Sequence, residues 1–130
     1  MKNIILLTLL FLPINSWGAD FEPVCRSLMG GNLAEAEWGS TLRNEMILRC
    51  KGKADSNCVD SYINKVESRK QRDIVEIAEI FQKNNYDEDK KKFLRLIAIQ
   101  QQVARSKAFV SGDSPQKITN DIYWGCINSQ

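Results

Sequence analysis

Four cysteines, Cys25, Cys50, Cys58 and Cys126, are the residues of this sequence with the most distinctive chemistry. Their even number predicts two disulfides in an oxidising compartment. A zinc site built from all four is the alternative, but no pair has the two-residue spacing typical of such sites. Histidine is absent, which excludes Ser-His-Asp and Cys-His catalysis and every zinc site that needs a histidine ligand.

The first 18 residues indicate that the chain is exported. Lys2 follows the initiator methionine, an apolar run occupies residues 4–14, and Ser16 and Gly18 are small residues at the −3 and −1 positions of a cut after Gly18. This pattern is typical of a secretory signal peptide and is too short to span a bilayer. The expected mature protein is a single domain over residues 19–130, with no later transmembrane segment and a location in the periplasm or outside the cell.

Helical periodicity accounts for the exported part, and we find no alternating strand pattern. Five segments have apolar residues at helical spacing, and they begin at Phe21, Leu33, Asp55 or Ser56, Asp87 and Pro115. Gly30-Gly31, Gly52, Asn84-Asn85 and Gly112 are the predicted stops. The third segment lacks Gly and Pro and predicts one helix of about 28 residues, roughly 42 Å long. The expected fold is an all-α antiparallel bundle of about five helices, stapled by two disulfides.

The predicted apolar faces favour one disulfide pairing. Cys50 and Cys58 flank a turn-rich stretch between two helices, so a bond there would staple the junction. Cys25 and Cys126 lie on the apolar faces of the first and last helices, which favours their pairing. The competing arrangement joins Cys25 to Cys50 and Cys58 to Cys126.

Large aromatic residues are the first candidates for a binding surface, because Trp and Tyr often anchor protein interfaces. Tyr123 and Trp124 are adjacent, so on a helix they point about 100° apart and cannot both be central core residues. Trp124 is therefore the best candidate for an exposed aromatic residue. Tyr123 and Trp38 are further candidates for contact with a partner. Packing at the edge of the core is the alternative role for each of them.

A polar interval over residues 67–73 interrupts the apolar face of the long third helix. Its cations Arg69, Lys70 and Arg72 could contact an acidic partner surface. The simpler interpretation is a solvated stretch of a helix that is longer than the core it covers.

Several other functions find little support in the residues. The net charge of +2 is too small for electrostatic capture of nucleic acid. Asp87 and Asp89 resemble the start of a calcium loop, but Lys91 and Lys92 occupy the positions that need Asp or Asn and then Gly. Nothing in the sequence indicates that any pair of acidic residues is buried and tuned for hydrolysis by two carboxyl groups. We therefore expect no enzyme, no metal site and no cofactor.

The resulting expectation is a non-catalytic protein-binding module of the bacterial envelope. Its general build is like that of immunity proteins, inhibitors of secreted enzymes, and accessory factors of secretion or conjugation, although no motif is shared with them. A carrier of a small apolar ligand is the alternative. Such a carrier requires an interhelical cavity, for which the sequence offers Met46, Phe81, Phe93 and Ile97.

Overall fold

The computed structural model describes residues 21–51 and 55–129 as five α-helices joined by short connections, with no β-strand in those ranges. We number the helices in chain order as α1 Phe21–Ser27, α2 Met29–Cys50, α3 Ser56–Lys83, α4 Glu88–Ser111 and α5 Pro115–Asn128. This confirms the predicted all-α architecture. The predicted signal peptide lies outside the described residues. None of the described helices combines the length and the apolar character needed to cross a membrane.

The boundary between α1 and α2 differs from the prediction. Gly30-Gly31 does not stop a helix, because α2 runs through both glycines from Met29. Leu28 separates the two helices with near-helical dihedral angles, φ −86° and ψ −10°. Asn32, an N-cap candidate by residue type because it follows the two glycines and precedes Leu33, lies inside α2 instead. Its buried side chain donates a 2.9 Å hydrogen bond from Nδ2 to Oε1 of Gln100 on α4. Tertiary packing therefore overrides the usual helix-stopping effect of two glycines.

The starts of α3, α4 and α5 and the ends of α3 and α4 follow the sequence signals, whereas the predicted stop at Gly52 lies outside the described residues. Asp55, Asp87 and Ser114 cap α3, α4 and α5, each accepting a hydrogen bond from a backbone N–H of the first turn. Pro115 follows its cap, where a missing N–H costs nothing. Gly112 ends α4 in the left-handed conformation with φ 76°, which glycine adopts without a steric penalty. Local chemistry is sufficient at these ends because each cap satisfies backbone groups that the helix leaves unpaired.

Helices α2 and α4 form a closely packed parallel pair. Residue numbers increase in the same direction along both helices in three contacts: Asn32 with Gln100, Gly39 with Arg105, and Arg43 with Phe109. The Arg43 side chain donates from Nη1 to the backbone oxygens of Phe109 and Val110, at 2.9 and 2.8 Å. A cation at this position also complements the negative end of the α4 dipole. Consecutive helices α2, α3 and α4 run antiparallel, since Glu35 and Cys50 of α2 meet Arg69 and Cys58 of α3, respectively.

Two groups of buried side chains hold the bundle together. The first joins α2, α3 and the end of α4, and it consists of Leu42, Cys50, Tyr62, Val66 and Phe109, with Trp38, Met46, Cys58 and Val59 packed against it. The second joins α2, α4 and α5, and it consists of Ala36, Ala104, Ala108 and Ile118, with Ile122 packed against it. Trp38, Leu42, Met46 and Cys50 are spaced four residues apart, which predicts one helix face, and all four belong to or pack against the first group.

Helical spacing predicts Ile63, Ile74, Ala78 and Val103 on the apolar faces of their helices, and these four predictions are wrong. Ala78 is exposed, and Ile63, Ile74 and Val103 are 40%, 44% and 45% exposed. Within residues 67–99 no side chain is fully buried, so the second half of α3 and the first half of α4 form a hairpin with much of its apolar surface in water. The physical reason is that helical spacing identifies an apolar face but does not say how much of that face another helix covers.

Both predicted disulfides are present. Cys25 pairs with Cys126 with a Cα–Cα distance of 5.9 Å, and Cys50 pairs with Cys58 at 5.5 Å. No described cysteine is free, which removes the competing pairing and the zinc alternative. One bond ties α1 to α5 across 101 residues of sequence, and the other closes the connection between α2 and α3.

Candidate functional site

Trp38 of α2 faces α3, and two guanidinium groups lie over its indole ring. The Cζ atom of Arg69 is 4.6 Å from the ring centroid, and that of Arg105 is 6.0 Å away. Both distances are within the range of a cation–π interaction. Trp38 is half-buried against the first core group, so one part of the side chain stabilises the fold while the rest faces the solvent.

A shallow groove of about 480 Å³ opens beside this ring. We call it the Trp38 groove, and it is lined by Trp38, Ser61, Asn64, Lys65, Ser68, Arg69 and Arg72. Apart from Trp38, these residues belong to one flank of α3, because residues three or four apart occupy the same side of a helix. The lining contains three cations and no carboxylate, so the groove is a basic surface with an aromatic wall.

An ion network lies behind the groove and fixes its position. Arg105 is only 1% exposed, and it donates from Nε to Oε1 of Glu35 at 2.8 Å and from Nη2 to Oδ2 of Asp73 at 2.6 Å. Arg69 donates to both oxygens of the same Glu35 carboxylate, at 3.2 and 3.1 Å. The network thus joins α2, α3 and α4. The planar guanidinium groups form these hydrogen bonds only in defined directions. The bonds therefore restrict rotation of the three helices relative to one another.

Opposing effects act on the Glu35 carboxyl. Burial raises its pKa, but the hydrogen bonds and positive charges of Arg69 and Arg105 outweigh burial and hold the pKa below the usual 4.5. Glu35 is therefore ionised near neutral pH. A general acid requires the opposite tuning, with a pKa raised toward neutrality. The chemistry of Glu35 is that of a structural ion pair.

Tyr123 and Trp124 occupy a second location, on the last two turns of α5. The Tyr123 hydroxyl donates to the Glu22 carboxylate of α1, and Glu22 also accepts from Arg26 at 3.0 Å. The hydrogen bond to Glu22 raises the pKa of Tyr123, and the same bond, followed by that from Arg26, lowers the pKa of Glu22. Tyr123 therefore helps to join α1 to α5 beside the Cys25–Cys126 bond.

Trp124 is 58% exposed. Its ring meets the edge of the Tyr123 ring with centroids 5.1 Å apart and planes at 77°. Trp124 is therefore an aromatic surface residue that is oriented by its neighbour, as its adjacency to Tyr123 predicts.

The structure brings together some of the residues chosen from sequence and separates others. Trp38, Arg69 and Arg72 share the Trp38 groove, whereas Lys70 is exposed on α3 without lining it. Tyr123 and Trp124 are on α5. In the polar interval, Arg69 and Asp73 turn toward the ion network, and the other five residues are exposed.

Four lining residues were not singled out in the sequence: Ser61, Asn64, Lys65 and Ser68. Their spacing with Arg69 and Arg72 places all six on one flank of a helix, which is a signal that the sequence does contain. The signal is weak on its own, because polar side chains on one flank of a helix are also what an ordinary solvated surface shows. Only the position of Trp38 on the neighbouring helix distinguishes this flank.

A second, apolar groove of about 220 Å³ lies between α3 and α4. It is lined by Asp73, Ile74, Ile77, Arg95, Ala98, Ile99 and Gln102. None of the four residues proposed for an apolar ligand cavity lines it. Met46 packs against the first core group, while the Phe81 ring lies near the cationic ends of Lys91 and Arg95, 5.7 and 5.5 Å from its centroid.

Among the described residues, no three His, Cys, Asp or Glu side chains are grouped so that they could hold a metal ion. Comparison with family models, curated proteins and solved structures gives no match for this chain. The features of the described residues that bear on function are the Trp38 groove, the apolar groove between α3 and α4, and exposed Trp124.

Proposed function

We propose that this protein is an exported, non-catalytic module that binds another protein of the bacterial envelope through the Trp38 groove. The observation that carries the proposal is the meeting of Trp38 with Arg69 and Arg72 in one groove, although these residues come from two helices. Trp and Arg are enriched among the residues that dominate the binding energy of protein interfaces.

The scaffold supports this role because it positions the groove before any partner arrives. Disulfides tie α2 to α3 and α1 to α5, and the Arg105 network joins α2, α3 and α4 behind the groove. A surface that is already ordered loses little conformational entropy on binding, which favours affinity. Inhibition or immunity by covering a partner's surface is the kind of action such a rigid module suits, as is an accessory role in secretion or conjugation.

Two disulfides also support a location in the periplasm or outside the cell, because they persist in oxidising compartments. Neither a cofactor nor a nucleic acid is part of the proposal. Exposed Trp124 is a second contact that we propose for the same or another partner, with Tyr123 positioning it. Lys70 remains a proposed contact on the adjoining flank of α3.

Site-specific photo-crosslinking in the native cells tests the proposal. A photoreactive phenylalanine analogue replaces Ser68 in the groove, and a second variant carries it at exposed Gln116 of α5 as the matched control. We expect one discrete protein adduct from position 68 and none from position 116, with the partner identified by mass spectrometry. A third variant with the analogue at Trp124 tests that surface. Absence of a discrete adduct from both position 68 and position 124 contradicts the proposal.

Carriage of a small apolar ligand is the second candidate, and the groove between α3 and α4 is the observation that favours it. Exposed Ile74 and Ile99 line this groove together with Ile77 and Ala98. Solvent extraction of the purified protein followed by mass spectrometry tests this function. A stoichiometric apolar molecule that is lost in the Ile99→Gln variant supports carriage, and an empty extract contradicts it.

A further inference from the structure

We propose that the Trp38 groove takes a short acidic segment of the partner, in the polyproline II conformation, with two carboxylates three residues apart on one face. This inference rests on the proposed function and specifies the chemistry of the partner. Its basis is charge complementarity, since the lining of the groove contains Lys65, Arg69 and Arg72 and no carboxylate. Opposite charges placed across an interface determine orientation and exclude wrong partners.

The cations of the groove are not equally engaged within the protein. Arg69 is held by Glu35 in an ion pair of 3.1 Å. Neither Lys65 nor Arg72 forms an ion pair with any described carboxylate. The Lys65 ammonium instead lies over the Tyr62 ring, 4.7 Å from its centroid. Lys65 and Arg72 are therefore the two cations that remain for carboxylates of a partner.

The spacing of these two cations sets the spacing of the acids. Seven residues of helix separate Lys65 from Arg72, a rise of about 10.5 Å along α3. A chain in the polyproline II conformation has three residues per turn and rises about 3.1 Å per residue, so residues three apart lie on the same face and are about 9.3 Å apart. A segment with the pattern Glu-x-x-Glu can therefore place one carboxylate at each cation. Arg72 can bind its carboxylate through two parallel hydrogen bonds, whereas Lys65 acts as a point charge.

The remaining lining residues suit a peptide backbone. Ser61 and Ser68 have short side chains, so a chain can approach the surface of α3 closely. The Asn64 side chain has both a donor and an acceptor, so it can pair with backbone N–H and C=O groups, which a polyproline II segment leaves without internal hydrogen bonds. Trp38 closes one side with an aromatic surface. A peptide is thus favoured over a polyanion, because nucleic acids and sulfated polysaccharides are captured by more cations than this groove and a net charge of +2 supply.

Tryptophan fluorescence provides a direct binding test. The oxidised protein carries Trp124→Phe, so that Trp38 is the reporter among the described residues. The probe is acetyl-Ala-Glu-Ala-Ala-Glu-Ala-amide, and the matched peptide has Gln in place of both Glu residues. We expect saturable binding of the acidic peptide, at least about tenfold weaker binding of the Gln peptide, and a loss of affinity between about 20 and 200 mM salt.

Charge reversal locates the site. Lys65→Glu with Arg72→Glu should weaken binding of the acidic peptide at least about tenfold. Lys83→Glu with Lys92→Glu makes the same change of net charge at exposed positions outside the groove, and it should leave the affinity within about twofold. Circular dichroism spectra of both double variants should match that of the parent, because neither pair has a described ion-pair partner.

Four results overturn the inference: no saturable signal, equal affinity for the Gln peptide, equal loss in both double variants, or tighter binding of a heparin fragment than of the acidic peptide. The crosslinking test remains separate. An adduct at position 68 that persists after charge reversal retains the protein-binding proposal and contradicts the acidic segment. Binding of the acidic peptide without any adduct at position 68 or 124 supports the groove chemistry and contradicts the wider function.

Discussion

Gly39 of α2 lies against the backbone of Arg105 on α4 so closely that a Cβ atom at position 39 would be 2.2 Å from the Arg105 carbonyl oxygen. The same added atom would be 3.2 Å from Cβ of Ala108. Ala36, Ala104 and Ala108 are completely buried nearby. Small residues on both helices therefore allow the parallel pair to approach closely, and this approach brings the Arg105 guanidinium to Glu35.

Gly39→Ala should lower the free energy of unfolding by about 2 kcal/mol, because the new methyl group meets backbone that cannot move without separating α2 from α4. Urea denaturation measures the change. Gly30→Ala is the matched control on the same helix, since nothing lies within 4 Å of the added atom. The control should raise stability by about 0.5–1 kcal/mol through helix propensity. Similar effects of the two substitutions would contradict the close approach.

Arg105→Met should lower the free energy of unfolding by about 3 kcal/mol, because it leaves Asp73 and Glu35 without their buried partner. Arg26→Met is the comparison: that arginine side chain is 69% exposed and pairs with Glu22 one turn away, so its loss should change stability by less than about 1 kcal/mol. Chemical denaturation of both variants gives the difference. Equal losses would show that the Arg105 network does not stabilise the bundle.

Stability should decline in acid partly through Glu35. Its pKa in the folded protein lies below the usual 4.5, so the unfolded chain binds a proton first as the pH falls. The stabilisation from the ionised carboxylate is complete above the unfolded pKa and is lost as pH falls through the folded pKa. Glu35→Gln should therefore destabilise more at about pH 6.5 than at about pH 3, measured by urea denaturation.

Exposed Glu37 provides the control for that pH experiment, because it is on the same helix and has no described ion pair. The free energy of unfolding of Glu37→Gln should match that of the parent protein at both pH values. If Glu35→Gln lowers the free energy of unfolding equally at both pH values, its effect comes from lost packing and not from lost charge.

The two disulfides should differ in their contribution to stability. In the chain-entropy model, the bond that closes 101 residues of sequence separation contributes about 4.7 kcal/mol, and the one that closes 8 residues contributes about 2.5 kcal/mol. Replacing Cys25 and Cys126 together by Ser should therefore lower the unfolding midpoint more than replacing Cys50 and Cys58 does. Thermal and urea denaturation of the two double variants test the order, and a reversed order would contradict the model for this chain.

Local signals in the sequence were sufficient for most helix ends and for one core stripe. Ser114 before Pro115 caps α5 as predicted, and Gly112 ends α4. Leu42 and Cys50 lie on the buried side of α2. These features depend on backbone groups and side chains a few residues apart, so their physical cause is present in the sequence itself.

Other features required contacts between distant residues. Gly30-Gly31 continues a helix because α2 packs on α4 there, with a Cβ at position 31 falling 2.7 Å from Nε2 of Gln101. Arg105 is buried although the periodicity of the fourth segment does not predict it, since Glu35 and Asp73 come from two other helices to pair with it. The same spacing rule predicts Val103 as core, yet its side chain is 45% exposed.

The amino-acid sequence by itself determined the helical class, most helix ends and the residues that could form disulfides, because periodicity and caps act over short distances and the cysteines are part of the composition. The tertiary structure decided which side of each helix is buried, that α2 and α4 run as a parallel pair, and that Trp38 meets Arg69 and Arg72. The reason is that burial and ion pairing depend on which surfaces meet, and a sequence records the composition of each surface without recording its partner.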